Sequence, residues 1–481
     1  MVGLNNKKVI DSFFWRFLER CGAQGIALVV SIVLARILDP SVYGTVSLIV
    51  VFTSILEVFV DGGLGNALIQ KIDADEIDFS SVFFFNIVLC VVLYLMMYLA
   101  SPGIARFYNM PEIVPVIRVL CLSIVISGVR NIQQAYVAKN FLFKRFFFAT
   151  LCGTVISAIV GILMAYNGFG VWALVGQSLS NICTGTIVLW LTVRWRPQWV
   201  FSFSRLRVLL SYGWKLMASS VIDKLYNDLR VLVIGKVYSA KDLAYYNTGA
   251  QVPYAIVNNV NTTIDSVLFP AISTEQKDVN RVLSIARRSI KTGTFIMAPL
   301  MLGLAAIAEP LVSLVLTDKW LPSVPFIRIF CVSFMFYPIN SANLSAIKAL
   351  GRSDLVLKLE IIKKVLGITI ILITMWISVK AIALGLLVGS LCNLVINSWP
   401  NKTLLQYTFF NQLKDISRNL FLAAVMACIV YIIGRLNIPL PLLLGIQIIS
   451  GAIVYITVSW LTKMDSFSYL LGVFKTYVGK K

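Results

Sequence analysis

Between Gly213 and Gly235 the chain reads GWKLMASSVIDKLYNDLRVLVIG, an apolar stretch that nonetheless carries Lys215, Asp223, Lys224, Asn227, Asp228 and Arg230. On a helix Lys224 and Asp228, four apart, can pair, while Asp223, Asn227 and Arg230 make a second polar ridge. Lys215 and Arg230 have no carboxylate four residues away. Charges inside an apolar span are costly and usually face a protein interior or an aqueous cavity. The chemistry that suits them is noncovalent, with cations replacing water around an anion. A self-neutralising packing network is the competing reading.

Three other stretches hold polar groups of the same kind. The run NNVNTTIDSVLFP places Asn258, Asn261, Thr262 and Asp265 three and four residues apart, which lines one helix face with hydrogen-bonding groups. Near the N-terminus Arg16 and Glu19 are three apart, and Arg20 and Gln24 four apart. Toward the opposite ends of their spans lie Arg36, Arg118 and Arg328, candidates for gating or for simple snorkelling. Glu19, Glu57, Asp61, Asp223, Asp228 and Asp265 are the carboxylates available to titrate or to hold Na⁺. His is absent and the eight Cys are dispersed, so His-based acid–base chemistry and zinc chelation lose their usual carriers, and no cofactor is expected.

These residues must be positioned by membrane helices. Of 481 residues 58% are hydrophobic and 13% charged, against about 25% charged in a soluble domain. Phe79–Ala105 and Leu436–Thr462 carry no charge, and Phe146–Val193 has room for two spans. Fourteen helices are expected, at about 14–37, 42–69, 79–101, 113–137, 145–166, 169–191, 209–235, 244–270, 290–310, 324–347, 355–378, 381–400, 417–434 and 439–461. With the N-terminus cytoplasmic, 26 of the 42 Lys and Arg fall in cytoplasmic joints and 7 in outer ones, which predicts both termini inside. The formal charge of +20 then belongs beside anionic inner-leaflet lipid, and nucleic acid is not needed as a partner. The basic N-terminal stretch lacks the short apolar run and small-residue site of a removable signal peptide.

The chain also looks duplicated. Pro115–Ile124 aligns without a gap to Pro325–Phe334 at an offset of 210, VGQSLSN at 175–181 resembles VGSLCN at 388–393, and the joint Arg36–Tyr43 pairs with Lys236–Tyr245. The expected organisation is an all-α polytopic membrane protein: a six-helix bundle over 1–200, a second over 201–405, and two further spans with a basic tail over 406–481. Six helices per copy preserve orientation, so the bundles are expected to be related by an axis along the membrane normal.

The stretches LARILDPSVYG (34–44), DGGLGNALIQ (61–70), YNTGAQVPYAI (246–256), SVLFPAIS (266–273) and TDKWLPSVPFIRIFCV (317–332) resemble the polysaccharide-exporter branch of the multidrug/oligosaccharidyl-lipid/polysaccharide flippase superfamily. The resemblance implies a fourteen-helix flippase of the bacterial inner membrane. Its expected cargo is an undecaprenyl-pyrophosphate-linked oligosaccharide moved outward by alternating access, with polysaccharide polymerase machinery as a further partner. Arg20, Lys215, Lys224 and Arg230 are the expected pyrophosphate partners, and Gln24, Asn227, Asn258, Asn261 and Thr262 the expected contacts for the rest of the headgroup. Coupling to H⁺, to Na⁺ or to the membrane potential stays open. A multidrug or small-molecule exporter of the same fold and an integral-membrane polysaccharide polymerase or ligase are the alternatives.

Overall fold

A computed structural model describes residues 6–61, 63–71, 73–140, 142–275 and 277–478; some side chains within helices also lie outside the described residues and are named below. Among the described residues every regular element is helical. The first compact unit, Met1–Ala244, holds α1 (Asn6–Ile37), α2 (Pro40–Asp61), α3 (Leu64–Gln70), α4 (Glu76–Tyr108), α5 (Ile113–Leu120), α6 (Leu122–Lys139), α7 (Phe143–Tyr166), α8 (Val171–Thr192) and α9 (Phe203–Val237). The second, Tyr245–Lys481, holds most of α10 (Ala240–Thr274), then α11 (Val279–Val315) and a 3-10 turn over Asp318–Ser323 that leads into α12 (Val324–Phe334). It continues through α13 (Tyr337–Ala349), α14 (Ser353–Thr374), α15 (Val379–Leu404), α16 (Phe409–Ile433), α17 (Leu440–Leu461) and α18 (Asp465–Val478).

Each expected span coincides with one helix or with a helix pair broken along its length. By length and apolarity ten helical stretches can cross a membrane among the described residues. Outside these ten are α9, α10 and α14, which carry runs of charged and amide side chains, and α1, whose fully described part Gly22–Ile37 is apolar but short. The element order also repeats. The fourth span of each half is broken, at Cys121 between α5 and α6 and at Met335–Phe336 between α12 and α13. The interruptions fall in or just after the matched decapeptides.

The duplicated joints begin helices, as their residue types suggest. Asp39 accepts from the Ser41 amide at 2.9 Å ahead of α2. Ser239 and Asp242 exchange bonds at the start of α10, with the Asp242 amide donating to Ser239 Oγ at 3.1 Å and Ser239 Oγ donating to Asp242 Oδ2 at 2.6 Å. Tyr245 packs edge-on against the buried Trp320 at 6.2 Å.

α9 belongs by packing to the first unit, where it lies on α2, α3 and α4, whereas the sequence pattern groups it with the residues after 200. Glycine explains the closeness. A Cβ on Gly63 would lie 2.5 Å from the Gly213 carbonyl oxygen, and one on Gly44 would run into the carbonyl of Ala240, so two stretches of backbone touch without side chains between them. In the second unit α16 and α17 flank α11, where Tyr455 Oη donates to the Phe295 carbonyl at 2.8 Å.

Candidate functional site

Three of the places where described polar groups collect are α9, a cavity of the second unit, and a smaller cavity of the first. On α9 the expected i,i+4 pair forms, with Lys224 Nζ 3.0 Å from Asp228 Oδ2. Ser54 of α2 donates to the same carboxylate oxygen at 3.3 Å. Arg230 sits 5.9 Å above the Tyr226 ring, and its buried Nε has no hydrogen-bond partner among the described residues. Asp223 and Asn227 are exposed. The ridge is therefore clasped to α2 through Ser54, with Asp223 and Asn227 exposed and Arg230 Nε buried.

The second unit holds a cavity of about 560 Å³ walled by α10, α13, α14 and α15. Asn393, Asn397 and Asn401 recur every four residues along α15, a spacing that stacks their amides on one face. Asn397 Nδ2 donates to Asn340 Oδ1 at 2.8 Å, while its buried Oδ1 accepts nothing and borders the cavity. Deeper in, Asn401 donates to Asn343 Oδ1 at 2.7 Å, and Asn343 and Gln412 exchange amide bonds at 2.9 and 3.1 Å. These bonds tie α13 to α15 and α16, while Asn401 Oδ1, like Asn397 Oδ1, is buried without a hydrogen-bond partner among the described residues. Two lysines and one carboxylate complete the lining: Lys363 pairs with Glu360 at 2.6 Å and is only 12% exposed, and Lys348 projects from the end of α13. Asn261 of α10 supplies the opposite wall.

The cavity in the first unit, about 330 Å³, is lined by Arg130 of α6, Thr154 and Ser157 of α7, Gln177, Ser178 and Asn181 of α8, and the small apolar Ala27 and Val30 of α1. Asn181 Nδ2 donates to Ser157 Oγ at 3.2 Å. Arg130 and Asn340 stand at the offset of 210 that relates the repeats, and Asn181 and Asn393 each end the repeated VGQSLSN/VGSLCN motif. The two cavities thus occupy corresponding places in the two halves of the chain.

The structure brings few of the sequence-predicted residues together. Lys224 and Asp228 meet on α9, and Asn261 reaches the second-unit cavity. Asn258 and Thr262 are exposed, and the Thr262 hydroxyl donates back to the Asn258 carbonyl at 2.8 Å. Gln24 is exposed on α1, and Arg36 is exposed at the end of that helix. Arg118 donates to Ser101 at 3.1 Å and lies 4.0 Å over the Tyr98 ring; Arg328 reaches the Ala305 carbonyl at 3.3 Å and Glu309 at 3.4 Å. The partners of both arginines lie in the arginine's own unit. The side chains of Arg16, Glu19, Arg20, Asp61, Lys215 and Asp265 lie outside the described residues. Sequence reasoning missed Arg130, Gln177, Asn181, Asn340, Lys348, Glu360, Lys363, Asn393 and Asn397. The four-residue Asn spacing on α15 and the terminal Asn of the repeated motif were the signals for three of them.

A family profile described as "Polysaccharide biosynthesis protein" matches residues 33–325. The chain is 23% identical over 414 residues to the Teichuronic acid biosynthesis protein TuaB of Bacillus subtilis (strain 168), covering 84% of this chain and 85% of that one. It is 26% identical over 401 residues to the Lipopolysaccharide biosynthesis protein WzxC of Escherichia coli (strain K12), covering 82% and 80%. Among solved structures it superposes on "Lipid II flippase MurJ, inward closed conformation" with a TM-score of 0.75 at 16% identity, over 96% of this chain and 99% of that one. At that identity the likeness speaks to the fold alone, that of a multi-pass helical membrane protein.

Proposed function

Because the chain belongs to the polysaccharide biosynthesis protein family, we propose that it moves a lipid-linked oligosaccharide from the cytoplasmic to the outer leaflet of a bacterial inner membrane. The observation that carries this reading is the second-unit cavity, whose amide wall, hydroxyls and Lys–Glu pair suit a hydroxyl-rich, partly anionic headgroup. A multidrug exporter would be better served by an apolar, aromatic pocket.

In this reading fourteen helices cross the bilayer with both termini inside, and the first twelve form two like-oriented six-helix bundles. The cargo is an undecaprenyl-pyrophosphate-linked glycan. The asparagines of α13 and α15, with Asn261, take sugar hydroxyls. Lys224 and Arg230, together with Arg20 and Lys215, are the pyrophosphate partners, since bare transfer of such a group into hydrocarbon costs far more than thermal energy. Forming or breaking covalent bonds is no part of the cycle. At about 100 mV, inside negative, each negative charge moved outward gains roughly 2.3 kcal/mol, enough for the membrane potential to drive the loaded step. H⁺ or Na⁺ antiport, through a carboxylate such as Asp223, Asp228 or Asp265, would then serve the return of the empty carrier.

Leaflet-specific labelling of lipid-linked oligosaccharide in cells lacking the protein tests the proposal. Accumulation in the inner leaflet is expected; normal outward movement with no second flippase present overturns it.

A further inference from the structure

A third cavity lies at the end of the second unit where the basic joints collect. It measures about 650 Å³ and is bordered by Arg287, Arg288, Lys291, Ser284 and Thr292 of α11 and by Ser466, Tyr469 and the carboxylate-bearing Asp465 of α18. The neighbouring charges are unequally committed. Arg287 forks onto Asp415 through Nε and Nη2 at 2.5 and 2.7 Å, and the Tyr407 hydroxyl donates to the same carboxylate at 2.8 Å, so that buried anion is largely occupied. Lys291 holds only looser contacts, 3.4 Å to Asp415 and 3.9 Å to Asp465, whose side chain is 87% exposed. Arg288 rests on the Tyr469 ring at 4.9 Å and has no carboxylate within 4.0 Å among the described residues.

A planar guanidinium, an ammonium and hydroxyl donors around one small cavity form a receptor for a phosphate group. The surroundings say which phosphate. Trp460 and Leu461, each 65% exposed, end α17 beside α18, and Leu471 on α18 is 38% exposed; together they border a neighbouring groove with Lys463 and Lys475. Exposed aromatic and aliphatic groups interleaved with lysines are the composition of a membrane–water boundary, where α18 can lie as an interfacial amphipathic helix. We infer that Arg288 and Lys291 bind the phosphate of an acidic phospholipid, which fastens α18 to α11. This inference does not depend on what the protein transports.

The test is the thermal stability of the purified full chain in phosphatidylcholine nanodiscs containing increasing phosphatidylglycerol, with millimolar inorganic phosphate as a separate arm. Phosphatidylglycerol is expected to stabilise the parent, and Arg288→Gln/Lys291→Gln to shift that response to about tenfold more anionic lipid. Lys277→Gln, which removes a cation of the same basic region but outside the cavity, is expected to leave the response unchanged. If the double variant does not accumulate, Arg288→Gln alone is read the same way, and Arg288→Lys is expected to recover part of the response. Stabilisation by inorganic phosphate alone would assign the site to a free anion and overturn the lipid. Equal responses in parent and variant, or a matching loss in Lys277→Gln, would overturn the site itself.

Discussion

The cavities at Arg130 and at Asn340 occupy corresponding places in the two halves of one duplicated chain, yet they are furnished differently. In the first unit α1 contributes Ala27 and Val30, and the cavity closes to about 330 Å³ with Arg130 as the one ionised lining group among the described residues. In the second unit α10 contributes Asn261 instead, the volume reaches about 560 Å³, and Lys348, Glu360 and Lys363 add three charges. Duplication supplied a scaffold with a polar notch beside the fourth and sixth spans. The surrounding helices then furnish the notches differently, with Ala27 and Val30 of α1 at the first and Asn261 of α10, Lys348 of α13 and Glu360 and Lys363 of α14 at the second. The larger cavity has the capacity and the donors for a sugar headgroup, while the smaller is mostly satisfied internally, through pairs such as Asn181–Ser157.

The sharpest way to break this comparison is to treat the two cavities alike. Lys363→Ala leaves Glu360 without the partner it holds at 2.6 Å, and translocation in a reconstituted flipping assay is expected to fall tenfold or more, roughly the effect of losing one charge-assisted contact. Arg130→Gln is expected to cost only a few-fold. A larger loss from Arg130→Gln, at normal abundance of both variants, would make the first cavity the principal one.

Next in size are the walls themselves. Asn261→Leu gives the second cavity the apolar lining of the first, and is expected to lower translocation about fivefold with little change in membrane accumulation, because one side of a hydroxyl's hydrogen-bonding environment is lost. An unchanged rate would remove Asn261 from the binding surface.

Packing behind the cavities differs too. A methyl on Gly153 would come within 2.9 Å of the Asn181 carbonyl, whereas one on Gly389 meets only Ile370 Cδ1 at 3.7 Å. Gly153→Ala is therefore expected to cost about 1–3 kcal/mol by overpacking, and Gly389→Ala to be nearly neutral. Melting curves in detergent decide it.

The smallest effect lies outside both cavities. Arg205 hydrogen-bonds Asp75 ahead of α4 and holds its carboxyl below the usual carboxylate range. A depressed carboxylate stabilises the fold above its unfolded pKa, and the gain disappears as pH falls through the folded value. Arg205→Gln is expected to lower the melting temperature slightly at neutral pH and not at all once the carboxyl is protonated.

Much of the helix plan was legible because long charge-free runs have few other solutions. The Lys224–Asp228 pair and the caps at Asp39 and Ser239 were legible for a related reason: each is a contact within a few residues of chain. The cavities were harder to see. Arg130, Lys348 and Asn340 are single polar residues on different helices, and no local period announces that α6 and α8, or α13 and α15, will bring them together. Lys348 served as a marker of sidedness, which hid its place at a cavity rim. Asn258 and Thr262 share a helix face with Asn261 by spacing alone, but only Asn261 borders the cavity, since helix packing selects one part of a polar face.

The bare backbone contacts near the two ends of α2, Gly63 against Gly213 of α9 and Gly44 against Ala240 at the start of α10, bear on motion within the first unit. Where no side chain interdigitates, two helices can slip past one another without any rotamer being withdrawn from a socket. Between these contacts α2 is held to α9 by the buried Leu48 side chain, which packs on Gly235, and by the mid-helix clasp of Ser54 on Asp228. That latch is made of hydrogen bonds and charge, so it is sensitive to any ion or headgroup that competes for Lys224.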